Sequence, residues 1–177
     1  MADSSQDEHD NTAALARLRE IVTDVKIAMI TTAGTDGVMN SRPMYLQEME
    51  EGGDLWFATS EDSALAEQIR ADDRVLAAFA KPSDNVFAVV RGTASLHRDP
   101  AKVAELWNAG MKAWFPNGPS DPAITLVQVH AEHGDYWDAP GGPARLVTYI
   151  GALLTGTRPD GGERGHVDIG ETGGTSS

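Results

Sequence analysis

VKIAMITTAGTDGVMNSRPMYLQEME (residues 25–50) reads as two strands folded back on one turn. Val25–Thr32 is rich in β-branched residues. Gly34–Gly37 then places Asp-Gly between two apolar runs, a strong short-range signal for a hairpin. Val38–Met49 runs back. Pro43 in that return strand has no N–H to give a ladder, so the strand belongs at a sheet edge or carries a bulge. An antiparallel hairpin this early sets the character of the whole chain.

The pattern repeats outward. Gly52-Gly53-Asp54 makes a second turn, and Leu55–Ala58 is the next strand. Thr59–Ser63 is a polar turn, and Ala64–Arg70 has helical spacing. Val75–Ala80 is a strand, Pro82–Asn85 a turn, and VFAVVRGTASLHR (86–98) a long strand whose Gly92 marks a bulge or bend. Asp99-Pro100 opens a helix with Pro in its first turn, carrying Val103, Leu106 and Trp107. WFPNGPSDPA (114–123) is a loop, ITLVQVHA (124–131) a strand, and GDYWDA (134–139) reads as a further one. ARLVTYIGALLTG (144–156) reads as a helix closed by Gly156. Upstream, Asn11 or Thr12 caps a helix with Leu15, Leu18, Ile21 and Val22 on one face. Six or seven strands joined mostly by short turns, with three or four helices, predict a largely antiparallel, mainly β fold that closes into a small barrel. The domain is expected over residues 12–156, between an acidic disordered tail (1–11) and a Gly-rich flexible one (157–177).

The 177 residues suffice for one domain with a real core. The net charge of −13 argues against non-specific nucleic-acid binding and against docking on anionic lipid. Any anionic ligand must be met by a few placed cations. With no cysteine, disulfides, thiol catalysis and Cys-ligated metals are excluded. No apolar run approaches the roughly 20 residues of a membrane helix. The polar, acidic start is unlike a secretory signal, so a cytoplasmic location is the expectation.

The order of SRPMYLQ (41–47), LWFATSEDSALAEQI (55–69), RADDRVLAAFA (70–80), VVRGTASLHRDPAKVAELW (89–107), WFPNGPSDPAITLVQV (114–129) and DYWDA (135–139) resembles the pyridoxamine-phosphate-oxidase-like split-barrel family, in particular its bacterial general-stress flavin-binding group. The resemblance implies an FMN-binding, largely antiparallel Greek-key split β-barrel, working as a homodimer with flavin sites lined by both chains. It implies that Arg42 reaches the FMN phosphate, flanked along its strand by Pro43, Met44 and Gln47. It implies that Thr59 and Ser63 approach the flavin or its phosphate at the turn before Leu65, that Phe57 and Ala58 cover the ring edge, and that Trp137 comes from the partner chain. FAD or a deazaflavin are the alternatives to FMN. Trp114, an aromatic in a Pro/Gly loop, is expected as a lid or dimer anchor.

The residue types suit such a ligand. A phosphate near −2 charge is held well by an Arg fork, hydroxyls and amides, and a flat apolar ring by backbone donors and an aromatic wall. Leu65 and Gln47 stand where members of the family often carry Lys, which leaves Arg42 as the main cation; Lys81, Arg91, Lys112 and Arg145 are the others available. Val147 stands where the vitamin-salvage oxidases carry His, so pyridoxamine phosphate oxidation is not expected. The expected function is an FMN-dependent oxidoreductase with one flavin face open to a substrate or a reduced nicotinamide; the alternatives are a flavin store or stress-response sensor without turnover, and an interaction dimer that has lost the ligand. No protein acid or base stands out. The simpler reading of Ser63 is a helix cap, and of Trp107 a core residue. His130 and His133 lie three apart near a strand end, a spacing that does not converge on a metal, and His9 and His166 fall in the expected tails, so no metal site is expected.

Overall fold

The computed structural model describes residues 3–138 and 163–169. Helix α1 (Asp3–Val25) leads into β1 (Ile27–Ala33), β2 (Met39–Tyr45), a short β3 (Glu48–Met49) and β4 (Leu55–Ser60). Then come α2 (Ala64–Ala71), β5 (Arg74–Lys81), β6 (Val86–His97), α3 (Pro100–Leu106), α4 (Ala109–Trp114), β7 (Ile124–Asp138) and β8 (Glu163–Asp168). The expected hairpin is present: β1 and β2 pair antiparallel from Ile27↔Tyr45 to Ala33↔Met39. Pro43 lies on β2, at the end of the strand order, where its missing N–H costs no ladder bond.

The strands follow the order β2-β1-β5-β6-β7-β4-β3, with β8 on β7 and every pairing antiparallel. The two ends of this path, β2 and β3, are consecutive in the chain. Only Leu46 and Gln47 separate them, and the Gln47 amide donates to the Trp56 carbonyl of β4 at 2.8 Å. So short a link between opposite ends of a sheet forces the sheet to curl on itself. The result is a split half-barrel.

Alternation along the strands fills its interior. Ala28 and Ile30 of β1, Leu55 and Phe57 of β4, Ala77 and Phe79 of β5 and Val127 and Val129 of β7 form one buried cluster. Leu18, Ile21 and Val22 of α1 and Leu65 and Ile69 of α2 cap it, on the spacing expected for each helix. A second cluster lies outside the barrel wall, where α3 and α4 cover Trp56, Ile124 and Leu126 through Val103, Leu106 and Met111. Trp107 packs against it, as expected.

Gly92 marks a bulge. Arg91 faces His133 but Gly92 faces Ala131, so Glu132 is the extra residue on β7. A Cβ at position 92 would sit 1.9 Å from the His130 carbonyl oxygen, so the crossing requires glycine. Because β7 absorbs this extra residue, the two runs expected as separate strands join in one, Ile124–Asp138.

Two described elements fall inside the expected tails. Helix α1 begins at Asp3, not at Asn11 or Thr12. At the other end, β8 lies within 157–177 and pairs with β7. Val167 and Ile169 are buried, and Gly165 lets the Tyr136 ring lie on the β8 backbone. The expected helix at 144–156 lies outside the described residues. No described helix is long and apolar enough to cross a membrane.

Candidate functional site

The polar turn before α2 is built around Ser63. Its Oγ accepts from the Ala66 amide at 3.1 Å and caps the helix, while the Thr59 hydroxyl donates to the same Oγ at 2.9 Å. The amides of Ala64 and Leu65 open the helix and have no partner within it. The neighbouring carboxylate does not counteract them. Glu61 accepts from Arg98 Nε at 3.0 Å, from Arg70 and from the buried Thr125 hydroxyl. The Thr125 bond first, then Arg98, holds Glu61 below the ordinary carboxylate range.

Arg42 comes to the same helix from β2. Its Nη1 donates to Thr32 Oγ1 at 2.9 Å and its Nη2 to Gln68 Oε1 at 2.6 Å, and Thr32 in turn donates to Gln68 at 2.7 Å. Alternation explains the approach: Asn40, Arg42 and Met44 turn to the inner side of β2, while Met39, Ser41, Pro43 and Tyr45 turn outward. Among the described residues Arg42 has no carboxylate partner, whereas Arg17, Arg70, Arg74, Arg91 and Arg98 all sit in ion pairs. Burial pushes its pKa down. A part-buried guanidinium held only by neutral groups keeps its charge available to an anion. Helix α2 thus carries Arg42 on Gln68 and, at its first turn, the Thr59–Ser63 hydroxyl pair beside the Ala64 and Leu65 amides. A guanidinium, hydroxyls and helix-opening amides are donors of the kind a phosphate ester accepts.

The other expected residues divide. The Phe57 and Leu65 side chains are 1% and 3% exposed and belong to the interior cluster, so any ligand role of theirs rests on the backbone. Met44 packs on the interior cluster and Ala58 on the outer one. Pro43 is exposed on the outer face. Gln47 is held by Asn108, which donates to it at 2.6 Å, near the start of β4 and away from Thr59. Trp114 is 82% exposed at the end of α4, outside this group. Trp137 sits on the outward side of β7, facing Phe87 across the ladder, with β1, β5 and β6 between it and β2. A single chain does not bring Trp114 or Trp137 to Arg42. Of the other cations, Lys81 pairs with Asp24 and Asp84 and Arg91 with Asp135, Lys112 is exposed on α4, and Arg145 lies outside the described residues. Thr32 and Gln68 are the contributors that sequence reasoning missed; nothing local marks them.

The described residues form a curled, antiparallel split half-barrel with flanking helices. The family described as Pyridoxamine 5'-phosphate oxidase like matches residues 13–160, and the chain belongs to it. Protein bli-3 of Neurospora crassa is 32% identical over 122 residues, 63% of this chain; the match spans 58% of that relative's length. The general stress FMN/FAD binding protein from Xanthomonas citri is 31% identical, with TM-score 0.61 over 71% of this chain and 87% of that one. A Clostridium acetobutylicum protein related to general stress protein 26 has TM-score 0.64 at 24% identity, over 72% of this chain and 89% of that one, and shares the fold.

Proposed function

We propose that this chain binds a flavin mononucleotide through Arg42 and the α2 cap, as a homodimer, and uses it for redox chemistry. The observation that carries the reading is Arg42, a part-buried cation with no carboxylate partner, held by Thr32 and Gln68. Arg42, the Thr59 and Ser63 hydroxyls and the Ala64 and Leu65 amides would hold the phosphate. The similarity to a protein named for FMN/FAD binding supports the ligand class. When bound, the flavin would supply the electron or hydride chemistry; the chain's own residues bind it, orient it and exclude water.

The outer face of the sheet supports the dimer. Ile27, Met29, Tyr45, Phe87 and Trp137 are large, apolar and exposed by 38–55%. They lie on two strand pairs of one sheet, β1–β2 and β6–β7, on either side of β5, with Ile27↔Tyr45 and Phe87↔Trp137 directly paired. An exposed apolar sheet face of this kind is an association surface, and a second copy on it would carry its Trp137 toward the site.

Titration of the desalted protein with FMN, followed by visible spectrum and flavin fluorescence, tests the assignment. Saturable micromolar or tighter binding is expected, and no binding to FMN, FAD or a deazaflavin overturns it. Met29→Asp should convert a dimer to monomer in sedimentation. A second reading, a flavin store or sensor without turnover, rests on Leu65 and Gln47, a buried leucine and an Asn108-bound glutamine that add no second cation beside Arg42. Oxidation of reduced nicotinamide by the flavin-loaded protein separates the two.

A further inference from the structure

The β7–β8 ladder sets four metal-ligating side chains on one outward face. His133 stands opposite Asp168 and Asp135 opposite His166, two cross-strand pairs at consecutive same-face positions. His133 Nδ1 lies 2.8 Å from Asp168 Oδ1, and His166 Nε2 lies 3.2 Å from that same oxygen. The two imidazoles stack, with centroids 6.0 Å apart and planes 18° from parallel. One ligand atom each from His133, His166 and Asp168 falls within 4.8 Å of the other two. Bonds of about 2.0–2.1 Å in a tetrahedral site put ligand atoms roughly 3.3 Å apart, so closing these three around an ion takes only small side-chain movements.

The surrounding contacts favour a metal over a bare ion pair. His166 uses Nδ1 on Asp135 Oδ1 at 2.7 Å, which leaves Nε2 as the atom aimed at Asp168. Asp135 is fixed in turn by Arg91 at 2.6 Å. A carboxylate that orients the far nitrogen of a histidine is the usual outer support of a metal-bound imidazole. The cluster also lies where the fold most needs a fastening. β8 follows a Gly-rich stretch and brings only Val167, with Ile169 just past it, to the buried side.

We infer that His133, His166 and Asp168 form a site for one divalent transition metal of the zinc class, oriented by Asp135, which clips β8 to β7. Two imidazoles and one carboxylate suit zinc, nickel or copper better than calcium or magnesium, and the exposed face leaves a position for water. Binding to folded strands alone stabilises their pairing.

The test is calorimetric titration of the full-length, tag-free protein with zinc chloride, without flavin, so that failure of the flavin assignment does not bear on it. One ion per chain at micromolar affinity is expected. His133→Ala and His166→Ala should each weaken binding at least about tenfold, and Asp135→Asn by roughly ten- to a hundredfold, the usual cost of an outer support. His130→Ala, on the same strand but bonded to Asp54, should leave binding unchanged. Amide exchange over Arg164–Asp168 should slow on zinc addition in the parent and not in His166→Gln, which keeps a polar side chain on β8. Absence of micromolar binding, or binding indifferent to both histidine substitutions, overturns the site.

Discussion

Arg42→Ala separates a ligand-binding arginine from a structural one. A charge-assisted contact to a phosphate is worth about 1.5–3 kcal/mol. Each ~1.4 kcal/mol is a factor of ten in affinity, so FMN binding should weaken roughly ten- to a hundredfold. The fold should hardly respond. Thr32 still donates to Gln68 at 2.7 Å after the guanidinium is gone, so neither side chain is left bare. The substitution also removes a desolvated charge with no opposite partner. The apo melting temperature should stay within ~2–4 °C, the shift that about 1 kcal/mol produces in a chain this size. Titration with FMN and, in parallel, with riboflavin reads the effect directly. Riboflavin lacks the phosphate, so the loss should appear for FMN and not for riboflavin. Equal losses for both ligands, or an unchanged FMN affinity beside a large drop in melting temperature, would refute the phosphate assignment and leave Arg42 as a strut between β2 and α2.

Leu65→Ala should cost about 2–5 kcal/mol of stability, as for other fully buried leucines; Leu65→Lys should cost at least as much in thermal denaturation, with no gain in FMN affinity, because the side chain faces the core and not the α2 amides. Gly92→Ala should destabilise by about 1–3 kcal/mol or more, since the new methyl meets the His130 backbone; an unchanged denaturation midpoint would mean the bulge tolerates a shift. The side-chain and backbone hydrogen bonds of Arg74 hold the Asp72 carboxyl at about 2. Its folded value is lower than its unfolded one, so the pairing favours the fold above about pH 4 and is lost as pH falls toward 2; carboxyl NMR titration should show a low midpoint that returns to the ordinary range in Arg74→Ala.

The parts legible in sequence were those whose signals are local. The β1–β2 hairpin announced itself through Asp36-Gly37, and α2 through its polar turn and apolar spacing. The Gly92 bulge showed because a glycine inside a strand pattern has few other reasons to be there. What escaped was held by distant contacts. β8 is short and hydrophilic, and only pairing with β7 and docking against Tyr136 make it a strand. Thr32 and Gln68 lie 10 and 26 positions from Arg42, and no periodicity links them. The family resemblance pointed to Phe57 and Leu65 as ligand neighbours, but strand alternation and helical phase turn both side chains into the core. The His133–His166 pairing was hidden for the same reason as β8: reading His166 as part of a tail removed its partner strand.

One side of β7 is shared between strands from opposite regions of the chain. β4 takes Ile124–Val129 and β8 takes His133–Asp138. A chain cut before Glu163 would therefore bare half of that side, a row of unpaired amides and carbonyls ending beside Trp137. Such a row accepts any extended peptide. β8 acts as a built-in occupant of a peptide slot, and shortening this protein from its C-terminal end would yield a sticky, strand-seeking barrel rather than a smaller version of the same one.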